Sequence, residues 1–459
     1  MTASGSKAVQ VIYYLNRKRV IFRHIGSART DSELDLLLTV ARDFIDNYSP
    51  ELPFKEETKF DNLLYLDKTQ FIGVYYTFLY EVLSGVLKKV GLSTLENQLL
   101  LDFVAMRIVE PASKLRSIEL MNDYFGIRHR RQSFYKSARN WPKLKHIAEK
   151  TAAGFAKRHY GFDFELVFYD VTTLYFETFQ EDELRKNGFS KDNKSQQPQV
   201  LVALMVTKEG FPVSYEIFPG NTFEGHTILP VVKSLIGRHQ IRTFTIVADA
   251  AMVSYANNVL EFNENKINYI VGARTANLPN ELIDKISKSL NRKDGRNIRV
   301  ETDRGSLICS FSAIRYRKDK YEMEKQIEKA KSLIKTPSKS KKLKFTKSEG
   351  EELKLNQSLI EKTEKLLGLK GYYTNLKESE ADNGTIIQRY HELYRIEQNF
   401  RIDKSDLQTR PIFHYKEEPI KLHLLICFMA LVISKHIELE TGISIKKFRT
   451  EMKRSLMPE

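Results

Sequence analysis

Ile386 to Leu407 reads IIQRYHELYRIEQNFRIDKSDL, and within it Tyr390, Tyr394, Glu397, Arg401 and Lys404 recur every three or four positions. That is the spacing of one face of an α-helix. Ile386, Leu393, Ile396, Phe400 and Leu407 fall on the other face. One helix over 386–407 is therefore expected to dock on a core while it presents a single carboxylate among tyrosines and cations. Such a face suits phosphate and metal chemistry.

Two further carboxylates each follow a short apolar run of the kind expected for a buried strand: Leu166 to Tyr169 before Asp170, and Phe244 to Ala248 before Asp249. A strand-end Asp taken alone is most often a turn or cap residue. Carboxylates are seldom buried unless paired or bound to a metal, so two such aspartates together with Glu397 on a docked helix suggest a cluster. Three carboxylates offer the hard oxygen ligands that Mg²⁺ prefers, and two ions ~3.5–4 Å apart can stabilise the attacking and leaving oxygens of a phosphodiester displacement. The implied chemistry is cutting and joining DNA.

These residues resemble the DDE transposases of bacterial insertion sequences, whose RNase H-like core carries Asp, Asp and Glu. Phe168 to Phe176 (FYDVTTLYF) matches around the first Asp, and Val247 to Ala250 (VADA) around the second. The family's signature at the Glu is Tyr, two residues, Arg, three residues, Glu, six residues, Lys; Tyr390, Glu397 and Lys404 stand at those spacings, with Leu393 at the Arg position. Arg389, Arg395 and Arg401 are near, and the role is assigned to none of them. Ser405 to His414, the helical run after it and the order of elements from about 160 to 435 are also similar to this family.

The resemblance implies an α/β fold, with a mixed sheet flanked by helices, interrupted by an insertion and preceded by a mainly helical DNA-binding region. It implies a transposase that binds terminal inverted repeats, cuts at the element ends and transfers the freed strands into target DNA. Asp170, Asp249 and Glu397 would be catalytic and hold Mg²⁺, with Mn²⁺ as a substitute; Tyr390, Arg401 and Lys404 would contact phosphates. Thr172, Asn221, His226 and Arg395 are candidate supports of the site. A homodimer in the DNA complex is implied too.

Composition agrees. The 459 residues carry 73 Lys and Arg against 58 Asp and Glu, a formal net charge of +15, and the pI is about 9.4. Such a chain is drawn to polyanions, more weakly as salt rises. Cys309 and Cys427 are far apart in apolar surroundings, so neither a disulfide framework nor a cysteine metal site is expected. There is no Gly-rich phosphate loop, no dinucleotide fingerprint and no zinc-type His or Cys spacing, so no nucleotide cofactor is expected. Met1 to Gln10 lacks a basic and then apolar signal pattern, and Leu422 to Ile433 is too short to span a bilayer and reads as a core helix. A cytoplasmic protein without a membrane partner is expected.

Five segments are expected. Residues 1–60 form a hairpin, Val9 to Ile25, and a helix, Asp31 to Tyr48. Residues 61–160 form a helical DNA-binding domain, in which Arg107 to His159 holds thirteen Lys or Arg against four Asp or Glu. There a helix from Ala112 to Phe125, a break at Gly126, the run Arg128-His129-Arg130-Arg131 and a helix from Gln132 are compatible with helix-turn-helix, making Arg128, Arg130, Arg131 and Lys136 candidate DNA contacts. Residues 161–274 form the first part of the core: the Asp170 strand, a hairpin of Val200 to Val206 and Val213 to Phe218, a helix Thr227 to Gly237, the Asp249 strand and the strand at Tyr269.

About a hundred residues then intervene before Glu397, too many for a structureless loop. Residues 275–370 are accordingly an insertion, strand-like over Ile298 to Ile314 and helical over Lys318 to Leu333. The basic run Lys335 to Lys342 is either ordered by DNA or a solvated linker. Residues 371–459 complete the core. Two other readings stay open: a catalytically silent, transposase-derived DNA-binding protein, which the presence of all three carboxylates argues against and Leu393 keeps open, and a carboxylate-pair glycoside hydrolase, disfavoured by the positive charge.

Overall fold

In a computed structural model the described residues are 6–15, 17–48, 75–188, 196–239, 241, 243–250, 260–335, 343–349 and 352–454. Most of the basic run at 335–342 falls outside them. The chain divides into two units, Met1–Gly73 and Val74–Glu459.

In the first unit β1 (Lys7–Leu15) pairs antiparallel with β2 (Lys18–Ala28), as its alternation predicts, and is followed by α1 (Asp31–Asp46). Thr30 and Glu33 close a capping box that fixes where α1 starts.

The second unit opens with five helices: α2 (Thr77–Val90), α3 (Gln98–Val109), α4 (Lys114–Phe125), α5 (Arg131–Ala138) and α6 (Lys145–Tyr160). Every residue of α3 from Leu100 to Val109 is buried, and the helix packs along the later α14. The α4–Gly126–α5 order follows the sequence reading.

Next come β3 (Leu166–Tyr175), β4 (Gln199–Thr207), β5 (Pro212–Pro219), α7 (Ile228–His239), β6 (Phe244–Ala248), α8 (Leu260–Glu264) and β7 (Ile267–Ala273). β3, β4 and β5 form an antiparallel meander, and β6 and β7 add to β3 in parallel, giving the order β5-β4-β3-β6-β7. All nine residues of β4 are buried, as a strand covered on both faces requires. This mixed sheet flanked by helices is the RNase H-like core.

The insertion contributes α9 (Asn280–Leu290), β8 (Asn297–Thr302), β9 (Gly305–Phe311), α10 (Ala313–Lys335), β10 (Thr346–Glu349), β11 (Glu352–Leu355) and α11 (Gln357–Leu366), and leads into β12 (Leu369–Thr374). β12 lies antiparallel between β7 and β9, so the β8–β9 hairpin extends the core sheet to eight strands. The sheet faces of β9 and β12 bury Leu307, Cys309 and Leu369 against Ile283 and Ile286 of α9. Met323 and Ala330 of α10 form a separate small core with Phe345 and Ile360.

The expected single helix over 386–407 is divided. α12 (Asn383–His391) and α13 (Tyr394–Arg401) are joined by a tight turn, and Ile402–Asp406 continues α13 in π geometry. At the joint Leu393 N–H bonds to Tyr390 O, Arg395 to Glu392 O and Ile396 to Leu393 O, each three residues back, so the backbone overwinds where a continuous helix would bond four back. The apolar period survives this change because the chain stays helical on both sides. α14 (Glu417–Thr441) and α15 (Ile445–Arg454) end the fold. α14 is long and apolar enough to cross a membrane, but its apolar window is 94% buried, so Leu422 to Ile433 lies in a core helix as expected.

Candidate active site

β3 and β6 run side by side with Tyr169 opposite Ala248, so Asp170 and Asp249 occupy the next register step on adjacent parallel strands. Neighbouring strands lie ~4.8 Å apart. Asp170 is half-buried inside β3, and its Oδ1 accepts from Val171 N–H at 2.8 Å. Asp249 stands just past the end of β6 and is exposed, with Oδ1 accepting from Ala250 N–H at 2.7 Å.

Asp249 Oδ1 also accepts from the Tyr390 hydroxyl at 3.1 Å. Burial pushes the Tyr390 phenol well above its usual range, and the negative charge of Asp249 adds to that, so the hydroxyl remains a donor. Gly272 of β7 makes room for it: a Cβ there would stand 2.6 Å from the Tyr390 oxygen. Tyr390 packs against Tyr372 of β12 with ring centroids 4.9 Å apart and the rings tilted by 59°.

Glu397 is exposed on α13, whose opposite face, Ile396, Asn399 and Phe400, is buried. α13 rests on β3 and β4. Its seat is the β4–β5 turn, where Asn399 Nδ2 donates to Gly210 O at 2.8 Å. Gly210 has φ +85°, and a Cβ there would meet the Arg395 Cβ at 3.3 Å. The π segment is tied to the sheet by Lys404, whose ammonium donates to the Thr172 hydroxyl. Thr172 follows Asp170 by two positions, so both leave β3 on the same face, towards the Glu397 segment.

Lys370 of β12 is a further member that sequence reading missed. Its ammonium lies 4.7 Å from the Tyr390 ring centroid and 5.7 Å from that of Tyr372. Burial pushes it below the usual lysine range and Arg315 acts in the same direction, while the carboxylates of Asp249 and Glu397 both oppose the shift. One cation therefore senses both carboxylates. Nothing in a six-residue strand far along the chain signals this; only the pairing of β12 with β7 brings it there.

Asp170 and Asp249 thus stand side by side in mid-β3 and at the end of β6, with the Tyr390 phenol on Asp249, Lys404 at Thr172 on the Asp170 face, and Lys370 within the field of Asp249 and Glu397. Among the described residues, the donor atoms of Asp170, Asp249 and Glu397 do not all lie within 4.8 Å of one another. The all-oxygen donor set of these residues fits Mg²⁺ or Mn²⁺.

The remaining sequence candidates fall in three places. Arg401 is exposed at the end of α13, four residues beyond Glu397. Arg395 turns towards the β4–β5 turn, with its buried Nε lacking a hydrogen-bond partner and its guanidinium 5.7 Å from the Tyr394 ring. Asn221 and His226 are exposed on the turn between β5 and α7. That turn is anchored by buried Thr227, which accepts from the Tyr169 hydroxyl at 2.7 Å; Tyr169 leaves β3 on the face opposite to Asp170.

Arg128, Arg130, Arg131 and Lys136 are all exposed on the α4–α5 connection and α5. Between them His129 points inward, its Nε2 2.6 Å from Oδ2 of Asp102, which is 1% exposed. Asp102 also accepts from the Tyr80 hydroxyl at 2.6 Å and Gln98 Nε2 at 2.7 Å. The basic loop is therefore pinned from inside by a buried carboxylate that the sequence did not single out.

None of the curated proteins compared matches the chain. Residues 161–433, more than half of its length, match the family model described as the transposase DDE domain. That span contains β3 and β6 with Asp170 and Asp249, the insertion and the helix that carries Glu397; only Asp249 stands at a strand end, since β3 runs on through Asp170 to Tyr175. The protein is a member of the DDE transposase family.

Proposed function

We propose that the protein binds the terminal inverted repeats of a mobile element, cleaves DNA strands at its ends and joins the freed strands to target DNA. The observation that supports this reading is the side-by-side register of Asp170 and Asp249 on β3 and β6, with the Tyr390 hydroxyl on Asp249 and the Lys370 ammonium under the influence of both Asp249 and Glu397.

Asp170, Asp249 and Glu397 would hold two Mg²⁺ ions, which when bound activate an attacking oxygen and stabilise a leaving one. Tyr390 holds the Asp249 carboxylate in place without withdrawing its charge. Thr172, two positions after Asp170 on the same face of β3, fixes the direction of Lys404, whose ammonium is a point charge suited to a phosphate. Lys370 offers a second positive charge beside the carboxylates, and Arg401 a planar fork able to grip two phosphate oxygens. Arg128, Arg130, Arg131 and Lys136 form a basic surface for the inverted repeat.

The test is strand cleavage of DNA carrying the sequence that flanks the gene, with Mg²⁺ and with EDTA, for the intact protein and Glu397→Gln. Cleavage at fixed ends that needs both metal and Glu397 is expected. Tight, metal-independent binding without cutting would instead favour the silent DNA-binding reading that Leu393 at the signature Arg position keeps open.

A further inference from the structure

Away from the carboxylate site, three helices end at one point. α2 brings Lys89 in its last turn, α6 brings His159, and α14 brings His436 and, one turn later, Glu440. Helix C-termini carry partial negative charge, so their convergence favours a cation, and a carboxylate in the last turn of α14 is at the wrong end of its helix unless a cation offsets it. Donor atoms of His159, His436 and Glu440 all lie within 4.8 Å of one another.

We propose that His159, His436 and Glu440 form a site for a borderline transition-metal ion of the zinc class, which ties the end of α6 to the end of α14. His436 and Glu440 are four residues apart on one helix face, and His159 approaches from the facing helix. His159 Nε2 and Glu440 Oε1 are 2.9 Å apart, close to the ~3.3 Å edge of a tetrahedron built from 2.0–2.1 Å metal bonds. Water would complete the fourth position.

The surroundings are those of a ligating imidazole. The Tyr160 hydroxyl lies 2.7 Å from His436 Nδ1; with Nδ1–H as the donor, the ring is oriented from behind and the lone pair stays on Nε2. Phe155 packs on both imidazoles, 4.8 Å from His159 and 5.0 Å from His436 by ring centroid. The Lys89 ammonium, 3.4 Å from Glu440 Oε2, is the cation that holds the place when no metal does.

The full chain, stripped with EDTA, is titrated with Co²⁺ in excess Mg²⁺, which saturates the hard-oxygen site of Asp170, Asp249 and Glu397. Visible d–d absorption reports tetrahedral Co²⁺, and Zn²⁺ is then added in competition. One equivalent with a tetrahedral spectrum, displaced by Zn²⁺, is expected. His159→Ala and Glu440→Gln should each weaken binding more than ~10-fold, Asp249→Asn should leave it unchanged, and Lys89→Met should tighten it. Both ligand variants alter surface side chains, and circular dichroism of the metal-free proteins checks their folds. Absence of the band, its survival in both ligand variants, or its loss in Asp249→Asn would overturn the proposal.

Discussion

Tyr390 bonds directly to one of the candidate catalytic carboxylates. Its ring packs beside both Tyr372 and Lys370 and its hydroxyl reaches Asp249, so Tyr390→Phe keeps the packing and removes one bond to a charged group, worth about 1.5–3 kcal/mol. The expected outcome is cleavage slowed by ~10–100-fold, with half-maximal activity displaced to higher Mg²⁺ and DNA affinity little changed; equal rates at every Mg²⁺ concentration would contradict it. Asp170 and Asp249 were legible in the sequence because an ionisable residue at the end of an apolar run has no solvent reason to be there. Lys370 was not legible, because a lysine in a short strand reads as a surface residue until β12 is seen to pair with β7. Asp102 was hidden for a similar reason: its partners come from a different helix, Tyr80 of α2, and from the α4–α5 connection, His129.

At the scale of elements, the alternation and periodicity of the chain predicted the β1–β2 hairpin, the β4–β5 hairpin and β6 closely, since each is set by local patterning. The pairing of β8–β9 with β12 was not predicted, because register between distant strands leaves no local trace. The divided helix at 386–407 likewise follows from packing rather than propensity. Its π segment holds Asp403, which is bonded to Thr409 and pushed up to about 6 by burial, against the pull of Thr409, Lys404 and Arg107. A carboxyl raised above its unfolded value near 4 binds its proton more tightly in the fold. Stability from this group is therefore complete below about pH 4 and falls as pH rises to about 6, by no more than ~3 kcal/mol. Asp403→Asn keeps an oxygen for Thr409 and removes the titration. Its melting temperature should exceed that of the parent by a few degrees at pH 7.5 and equal it at pH 4; a gain of the same size at both pH values would place the cause elsewhere.

Across the whole molecule, α3 links the two ends of the proposed function. Asp102 on it pins the loop of Arg128, Arg130 and Arg131 through His129, and Arg107 on it donates to Leu407 O, just past the π segment, and to Ala112 O. The basic loop and the Glu397 segment thus share one buried helix. In the proposed function they would act on DNA by different physics: the loop by phosphate neutralisation, which releases counterions and depends on salt, and the carboxylate site by chemistry on a strand already held. Replacing Arg130 and Arg131 together by Ala should therefore make the plot of log binding constant against log salt less steep by about 2, as read by fluorescence anisotropy on a labelled inverted-repeat duplex. Glu397→Gln should leave that slope as it is and abolish cutting. If the double arginine variant kept the parental slope, the loop would not be a phosphate-binding surface, and the excess positive charge of the helical region would have to act through other residues.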